Sequence, residues 1–165
     1  LKNARKVIKE TKCDAVKLEG GKKVIDQIKI LIKNKIPVMG HIGLLPQTVK
    51  GKFKSKGKTS KEINQLMNDA LLLQKNGVFA IVLECVKTPI AKQITKKLKI
   101  PTIGIGSSVY CDGQVLVTDD LLGLNSSNIK FVKKFINLKK HINLGLKKFA
   151  SEVRSKKYPT KKHSY

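Results

Sequence analysis

The chain has 165 residues and carries 35 Lys and Arg against 11 Asp and Glu, a net charge of +24. That length suits a single domain over 1–165, and no apolar run approaches the ~20 residues that span a bilayer. Residues 1–10 are charged and helix-like, with neither the apolar stretch nor the small-residue cleavage site of a secretory leader, and the lack of an initial Met points to a missing beginning.

The make-up of the positive charge matters more than its size. Arg5 and Arg154 are the only arginines, and every other positive charge is lysine. Readers of bases and phosphates favour arginine for its planar fork and its stacking on aromatics, and aromatics here are 5%. The lysines therefore read as a solvated surface, with no specific nucleic-acid partner expected, although so strong a field gives salt-sensitive non-specific binding. Cys13, Cys85 and Cys111 are widely spaced and form no CxxC pair. Neither a disulfide framework nor a structural zinc site follows, and a reducing cytoplasm suits them.

In chain order, residues 3–11 read as a helix, followed by a strand over 15–18 that ends in Glu19-Gly20-Gly21. Over 22–34, Val24, Ile25, Ile28, Leu31 and Ile32 recur at spacings of three and four, which predicts a helix with one buried face. Pro37 opens a strand over 38–42. A loop rich in Gly and Lys occupies 45–59. Ser60 and Glu62 then begin a helix with an apolar stripe of Ile63, Leu66, Met67, Ala70 and Leu71, which Gly77 stops. A third strand runs over 79–83, Pro89 starts a short helix, and Pro101 introduces a fourth strand over 102–105. The fifth is expected over 114–117, and two helices over 129–138 and 141–156 precede a polar tail.

Strands joined by single helices imply a parallel sheet with right-handed crossovers. A doubly wound sheet and a (β/α)8 TIM barrel share that rhythm. The barrel gains weight from the polar residues at strand ends, Glu19, His41, Glu84 and the segment 106–112, which a barrel gathers on one face. Five strands would be an incomplete barrel, lacking its N-terminal part.

Lys17 and Glu19 alternate with Val16 and Leu18, so both can point into one space. A carboxylate there can take Mg2+, a hard cation that prefers oxygen, and an ammonium can hold a substrate carboxylate; a surface ion pair on a strand edge is the plain alternative. Glu84 follows Phe79-Ala80-Ile81-Val82-Leu83 and precedes Cys85-Val86, where a charge is expensive to bury. Such a carboxylate should have a raised pKa and suits a base that removes a proton from carbon. His41, within Gly40-His41-Ile42-Gly43, can donate to an anionic group or serve as a satisfied structural histidine. His141 and His163 have no metal-ligand spacing. Gly104-Ile105-Gly106-Ser107-Ser108 lacks the third glycine of a dinucleotide-binding loop, Val109 standing there, and reads instead as a tight turn out of a strand. Lys50, Lys52, Lys54, Lys56 and Lys58 alternate in a solvated, mobile loop that can steer anions.

Taken together, DAVKLEGG (14–21), IPVMGHIGLLPQ (36–47), VLECV (82–86), IPTIGIGSS (100–108), CDGQVLV (111–117), DDLLGL (119–124) and YPTKKHSY (158–165) resemble the ketopantoate hydroxymethyltransferases of pantothenate and coenzyme A synthesis. The resemblance implies a (β/α)8 barrel to which this chain contributes the fourth strand onward. The first three strands, with two Mg2+-binding aspartates and a substrate-contacting Ser, would precede Leu1, and the chain alone would be inactive. By the same resemblance Glu19 is a third acidic residue at the metal, Lys17 binds the substrate, His41 is a pocket histidine and Glu84 is the catalytic base.

The implied reaction joins 3-methyl-2-oxobutanoate to the one-carbon unit of 5,10-methylenetetrahydrofolate through an enolate stabilised by Mg2+, giving 2-dehydropantoate and tetrahydrofolate, in a homo-oligomer. Ser107-Ser108 departs from a usual Ala-Gly, Asp119 from a usual His before Asp120, and the loop after GHIGLLPQ is shorter than usual. Two other readings stay open at this point: another Mg2+-dependent keto-acid lyase or mutase on the same barrel, and a basic nucleic-acid-binding protein without catalysis.

Overall fold

A computed structural model of the chain describes residues 1–49, 54–126 and 129–165. It holds two compact units, Leu1–Val115 and Leu116–Tyr165. In the first, helix α1 (Lys2–Thr11) precedes five parallel strands, β1 (Val16–Glu19), β2 (Val38–Gly43), β3 (Ala80–Glu84), β4 (Thr102–Ile105) and β5 (Gly113–Gln114). Helices α2 (Ile25–Lys33), α3 (Ser60–Lys75) and α4 (Thr88–Lys97) connect the first four.

Each strand pairs with the next in the chain, so the spatial order is β1-β2-β3-β4-β5. A doubly wound sheet reverses its order at a switch point, whereas an unreversed run of parallel strands with crossover helices is the wall of a barrel. Of the two α/β candidates, the observed five-stranded parallel sheet with its unreversed order fits part of a barrel wall.

The register separates two faces. Strand side chains alternate, and the pairings Gly40↔Ile81, Ile42↔Leu83 and Leu83↔Gly104 put Val38, Ile42, Ile81 and Leu83 on one side. There they form the core with Ile28 and Leu31 of α2, Leu66, Ala70 and Leu73 of α3, and Ile90, Ala91 and Ile94 of α4. Spacings of three and four place each helical set on one stripe, and burial of each large side chain is worth about 1.5–3 kcal/mol. The α3 start is fixed by Thr59, whose hydroxyl accepts the Glu62 amide at 3.2 Å. Glu62 in turn accepts the amides of Lys58 at 2.8 Å and Gly57 at 3.1 Å. These bonds, that from Lys58 foremost, hold its carboxyl below the usual range.

Three expectations need correction. The fifth strand ends at Gln114: the last rung is the Val115 amide to the Gly104 carbonyl at 3.0 Å, after which Val115 and Val117 stay exposed and the chain enters α5 (Thr118–Leu121). No helix forms over 129–137. The Phe135 amide bonds the Leu121 carbonyl and the Leu138 amide that of Leu122, both at 2.9 Å, which ties this stretch to the preceding turn. Helix α6 (Leu138–Arg154) starts only there, where the Asn137 side chain accepts the Lys140 amide.

The third correction concerns the lysine loop. Lys56 is pinned against Val86, its amide reaching the Cys85 carbonyl at 2.8 Å and its carbonyl taking the Lys87 amide at 3.0 Å. Lys50 and Lys52 lie outside the described residues. The described lysines are exposed except Lys56 and Lys92, which are half-buried. Among the described residues no helix is long and apolar enough to cross a membrane.

Candidate active site

The second face of the sheet carries a different chemistry. Glu19 pairs with His41, His41 with Val82, and Gly43 with Glu84. Parallel partners share a face, so Lys17, Glu19, His41 and Glu84 all stand on the side away from the helices, at or near the C-terminal ends of β1, β2 and β3. The sequence left Glu19 and Glu84 just beyond their strands; each is in fact the last residue of one.

His41 is the centre of the group. It is 1% exposed, with Nδ1 at 3.3 Å from Lys17 Nζ and 3.9 Å from Glu19 Oε1, and Nε2 at 3.2 Å from Glu84 Oε2. Nε2 nevertheless has no aligned hydrogen bond. The plain alternative for Lys17 and Glu19, a surface pair on a strand edge, holds in part: β1 is an edge strand and Lys17 is exposed, but the Glu19 side chain is 9% exposed, and both residues face the buried ring.

The electrostatics follow from burial. Desolvation pushes the Glu84 carboxyl above the ordinary value; Glu19 adds to this and the Lys17 ammonium opposes it. Burial lowers His41, and Lys17 lowers it further, against Glu19 and a backbone bond at Leu44. The ring is therefore neutral at neutral pH. Cys85, which follows Glu84, is pushed up to about 11 by burial and the adjacent carboxylate, so its thiol stays protonated and is a poor nucleophile.

Backbone geometry holds the end of β3. Cys85 has φ 54, a left-handed conformation uncommon for a residue with a side chain. Gly43 has φ +101, and a Cβ there would stand 2.2 Å from the Glu84 carbonyl oxygen, which accepts the Leu44 amide at 2.8 Å. Gly43 thus lets β2 close on Glu84. Its part was missed in the sequence, where the only signal was a glycine two residues after His41. Also missed was the Gln47 amide, which donates to Glu19 Oε2 at 3.2 Å.

Among the described residues no group of three or more His, Cys, Asp and Glu side chains is placed to hold a metal ion. Glu19 fits as one hard-oxygen ligand. Its Oε2 is occupied by the Gln47 amide, and its Oε1 lies beyond hydrogen-bond distance of the ring, an arrangement compatible with a cation that takes one or two carboxylates and fills its remaining positions with water and substrate oxygens.

The other candidates lie apart in kind. The turn after β4 uses Gly106 at φ +58, as expected of a strand exit. In the second unit Asp120 is buried and accepts from Asn125 Nδ2 at 3.0 Å. His141 is exposed on α6, and His163 bonds the Thr160 hydroxyl in the tail.

The arrangement can bind an anion at Lys17, take a proton at Glu84 and offer a cation one oxygen at Glu19. Comparison with known proteins identifies the family. Residues 1–161 match the profile of the ketopantoate hydroxymethyltransferase family. A 3-methyl-2-oxobutanoate hydroxymethyltransferase of Pelagibacter ubique (strain HTCC1062) is 61% identical over 165 residues, covering all of this chain and 64% of the relative. One of Clostridium botulinum (strain 657 / Type Ba4) is 47% identical over 99% of this chain and 60% of its own length. One of Clostridioides difficile (strain 630) is 47% identical over 100% and 61%. The chain thus spans less than two thirds of the length of these curated relatives.

Proposed function

Because the chain belongs to the ketopantoate hydroxymethyltransferase family, we propose that it serves hydroxymethyl transfer from 5,10-methylenetetrahydrofolate to 3-methyl-2-oxobutanoate. Glu84 takes the proton from C3, next to the ketone. Water cleaves the two C–N bonds of the methylene bridge, which frees tetrahydrofolate and leaves the one-carbon unit at the formaldehyde level; the C3 carbanion bonds to that carbon, the C=O electron pair moves to oxygen and is protonated, and 2-dehydropantoate leaves. The observation that carries this reading is the convergence of Lys17, Glu19 and Glu84 on one buried histidine at three adjacent strand ends.

Each residue has a role that its surroundings support. Burial raises the proton affinity of the Glu84 carboxylate, the direction that a base accepting a proton from carbon requires. Lys17, with the His41 ring beside it, holds the carboxylate of the keto acid, since an ammonium is a point charge with several donors. Glu19 offers one oxygen to Mg2+, which when bound polarises the oxygens of the keto acid as a Lewis acid. The protonated thiol of Cys85 beside the base avoids a competing nucleophile. A cytoplasmic setting and a homo-oligomer complete the proposal, with folate and keto acid as the small-molecule partners.

The test is hydrogen–deuterium exchange at C3 of 3-methyl-2-oxobutanoate, without folate, in the protein as its gene encodes it. Glu84→Gln should slow exchange by roughly 10²- to 10⁴-fold while keto-acid binding persists. Near-wild-type exchange would remove Glu84 as the base. Exchange in the wild type with no one-carbon transfer when folate is added would favour a keto-acid lyase or mutase instead.

A further inference from the structure

A lysine ammonium has hydrogens to give and no lone pair to accept one. At 3.3 Å from Lys17 Nζ, His41 Nδ1 must therefore be the acceptor. Two other acceptors face the ring, and neither takes a hydrogen from Nδ1: Glu19 Oε1 at 3.9 Å is outside hydrogen-bond range, and the Leu44 backbone, which favours the protonated ring, makes no aligned hydrogen bond with either nitrogen. With Nδ1 accepting from Lys17, the ring hydrogen is on Nε2. That atom is fully buried, has no aligned partner, and lies 3.2 Å from Glu84 Oε2.

We propose that His41 is the positioning residue of the base: its Nε2–H fixes the Glu84 carboxylate, while Lys17, bonded to Nδ1, fixes the ring. The inference rests on the reading of Glu84 given above and extends it. A buried donor without a partner is unfavourable, and rotation of the carboxylate is the smallest movement that satisfies it. Catalytic hydrogen bonds are often poorly aligned before substrate binds and tighten in the complex, so substrate binding at Lys17 and alignment at Glu84 are joined through one ring. The substrate-holding ammonium and the proton-accepting carboxylate then sit in the geometry that proton removal needs, at opposite nitrogens of the same imidazole.

The two amide substitutions separate the nitrogens. The asparagine amide reaches about as far as Nδ1, and the glutamine amide about as far as Nε2. In the protein as its gene encodes it, His41→Asn should lower the rate of C3 exchange roughly tenfold to hundredfold, the scale of a mispositioned catalytic group, with the KM for keto acid within about twofold. His41→Gln, which keeps a donor toward Glu84, should recover most of that loss. Equal losses in both variants, or a KM raised in step with the lost rate, would overturn the proposal in favour of a substrate contact or a merely structural ring.

A readout independent of turnover is the 15N NMR signature of the wild-type ring. Hydrogen on Nε2 and none on Nδ1 supports the proposal, and hydrogen on Nδ1 overturns it whatever the variants do. Wild-type protein that exchanges no C3 hydrogen overturns the reading of Glu84 itself, which separates that failure from failure of the His41 assignment alone.

Discussion

Leu83 and Glu84 are neighbours on β3, and they belong to opposite sides of one sheet. Leu83 is completely buried among α3, α4 and the strand partners, where any apolar side chain of the right volume would serve. Glu84 is almost as deeply buried, at 7% exposure, but among Lys17, Glu19 and His41. Burial stabilises the first residue and destabilises the charged form of the second. The same loss of water thus serves folding on one face and chemistry on the other, and alternation along the five residues of β3 is enough to keep the two apart.

Breaking each face alone is the sharpest test of that division. Glu84→Gln should give the largest effect, the loss of C3 exchange described above, with the denaturation midpoint unimpaired. Leu83→Ala should do the opposite. Truncating a buried leucine costs about 2–5 kcal/mol, seen as a lowered urea midpoint, while exchange per folded molecule stays near wild type. If Leu83→Ala lost activity in the folded fraction, or Glu84→Gln lost the fold, the faces would not be separable in this way.

Gly43 is where the division should fail, because it touches both sides. Alanine there meets a strained φ and the Glu84 carbonyl oxygen at 2.2 Å, so Gly43→Ala should cost roughly 1–3 kcal/mol and slow exchange as well, by displacing the end of β3. A substitution that lowers the midpoint but leaves exchange intact would mean that β2 does not set the position of Glu84.

The two faces were not equally legible in the sequence. The apolar face announced itself: Val38, Ile81 and Leu83 in short runs and the helical stripes gave four strands within about a residue at each end. The polar face gave its strand-end carboxylates, because a charge closing an apolar run stands out. It did not give His41 its central place, since the sequence carries no record of which strands are adjacent, and a histidine between glycines is compatible with a structural role. The failures have the same origin. In 129–138, Phe131, Val132, Phe135 and Ile136 recur as on a helix, but bonds from Phe135 and Leu138 to Leu121 and Leu122 settle the backbone otherwise. Over 114–117 the apolar run continues although its ladder partner has ended.

The smallest expected effect is also the one that ties the faces together, the pH dependence of stability. Burial and Glu19 raise the folded-state pKa of Glu84 above its unfolded value, with Lys17 opposing and the neutral His41 ring alongside. Between those two values the folded state binds more protons than the unfolded state, so unfolding free energy falls as pH rises. The contribution of Glu84 is most favourable below its unfolded pKa and is lost as pH rises through the folded one. Glu84→Gln, which cannot ionise, should therefore melt higher than the wild type on the alkaline side of that window, with the difference shrinking as the pH is brought down through it. His41 acts in the other direction, because its lowered pKa removes stability as pH falls through the ordinary histidine range, and both proteins share that loss. Melting curves of the pair across pH isolate the carboxylate. A difference that grows toward acid would mean that Glu84 is stabilised by its neighbours in its charged form, and the site would then hold a structural ion pair where a poised base is proposed.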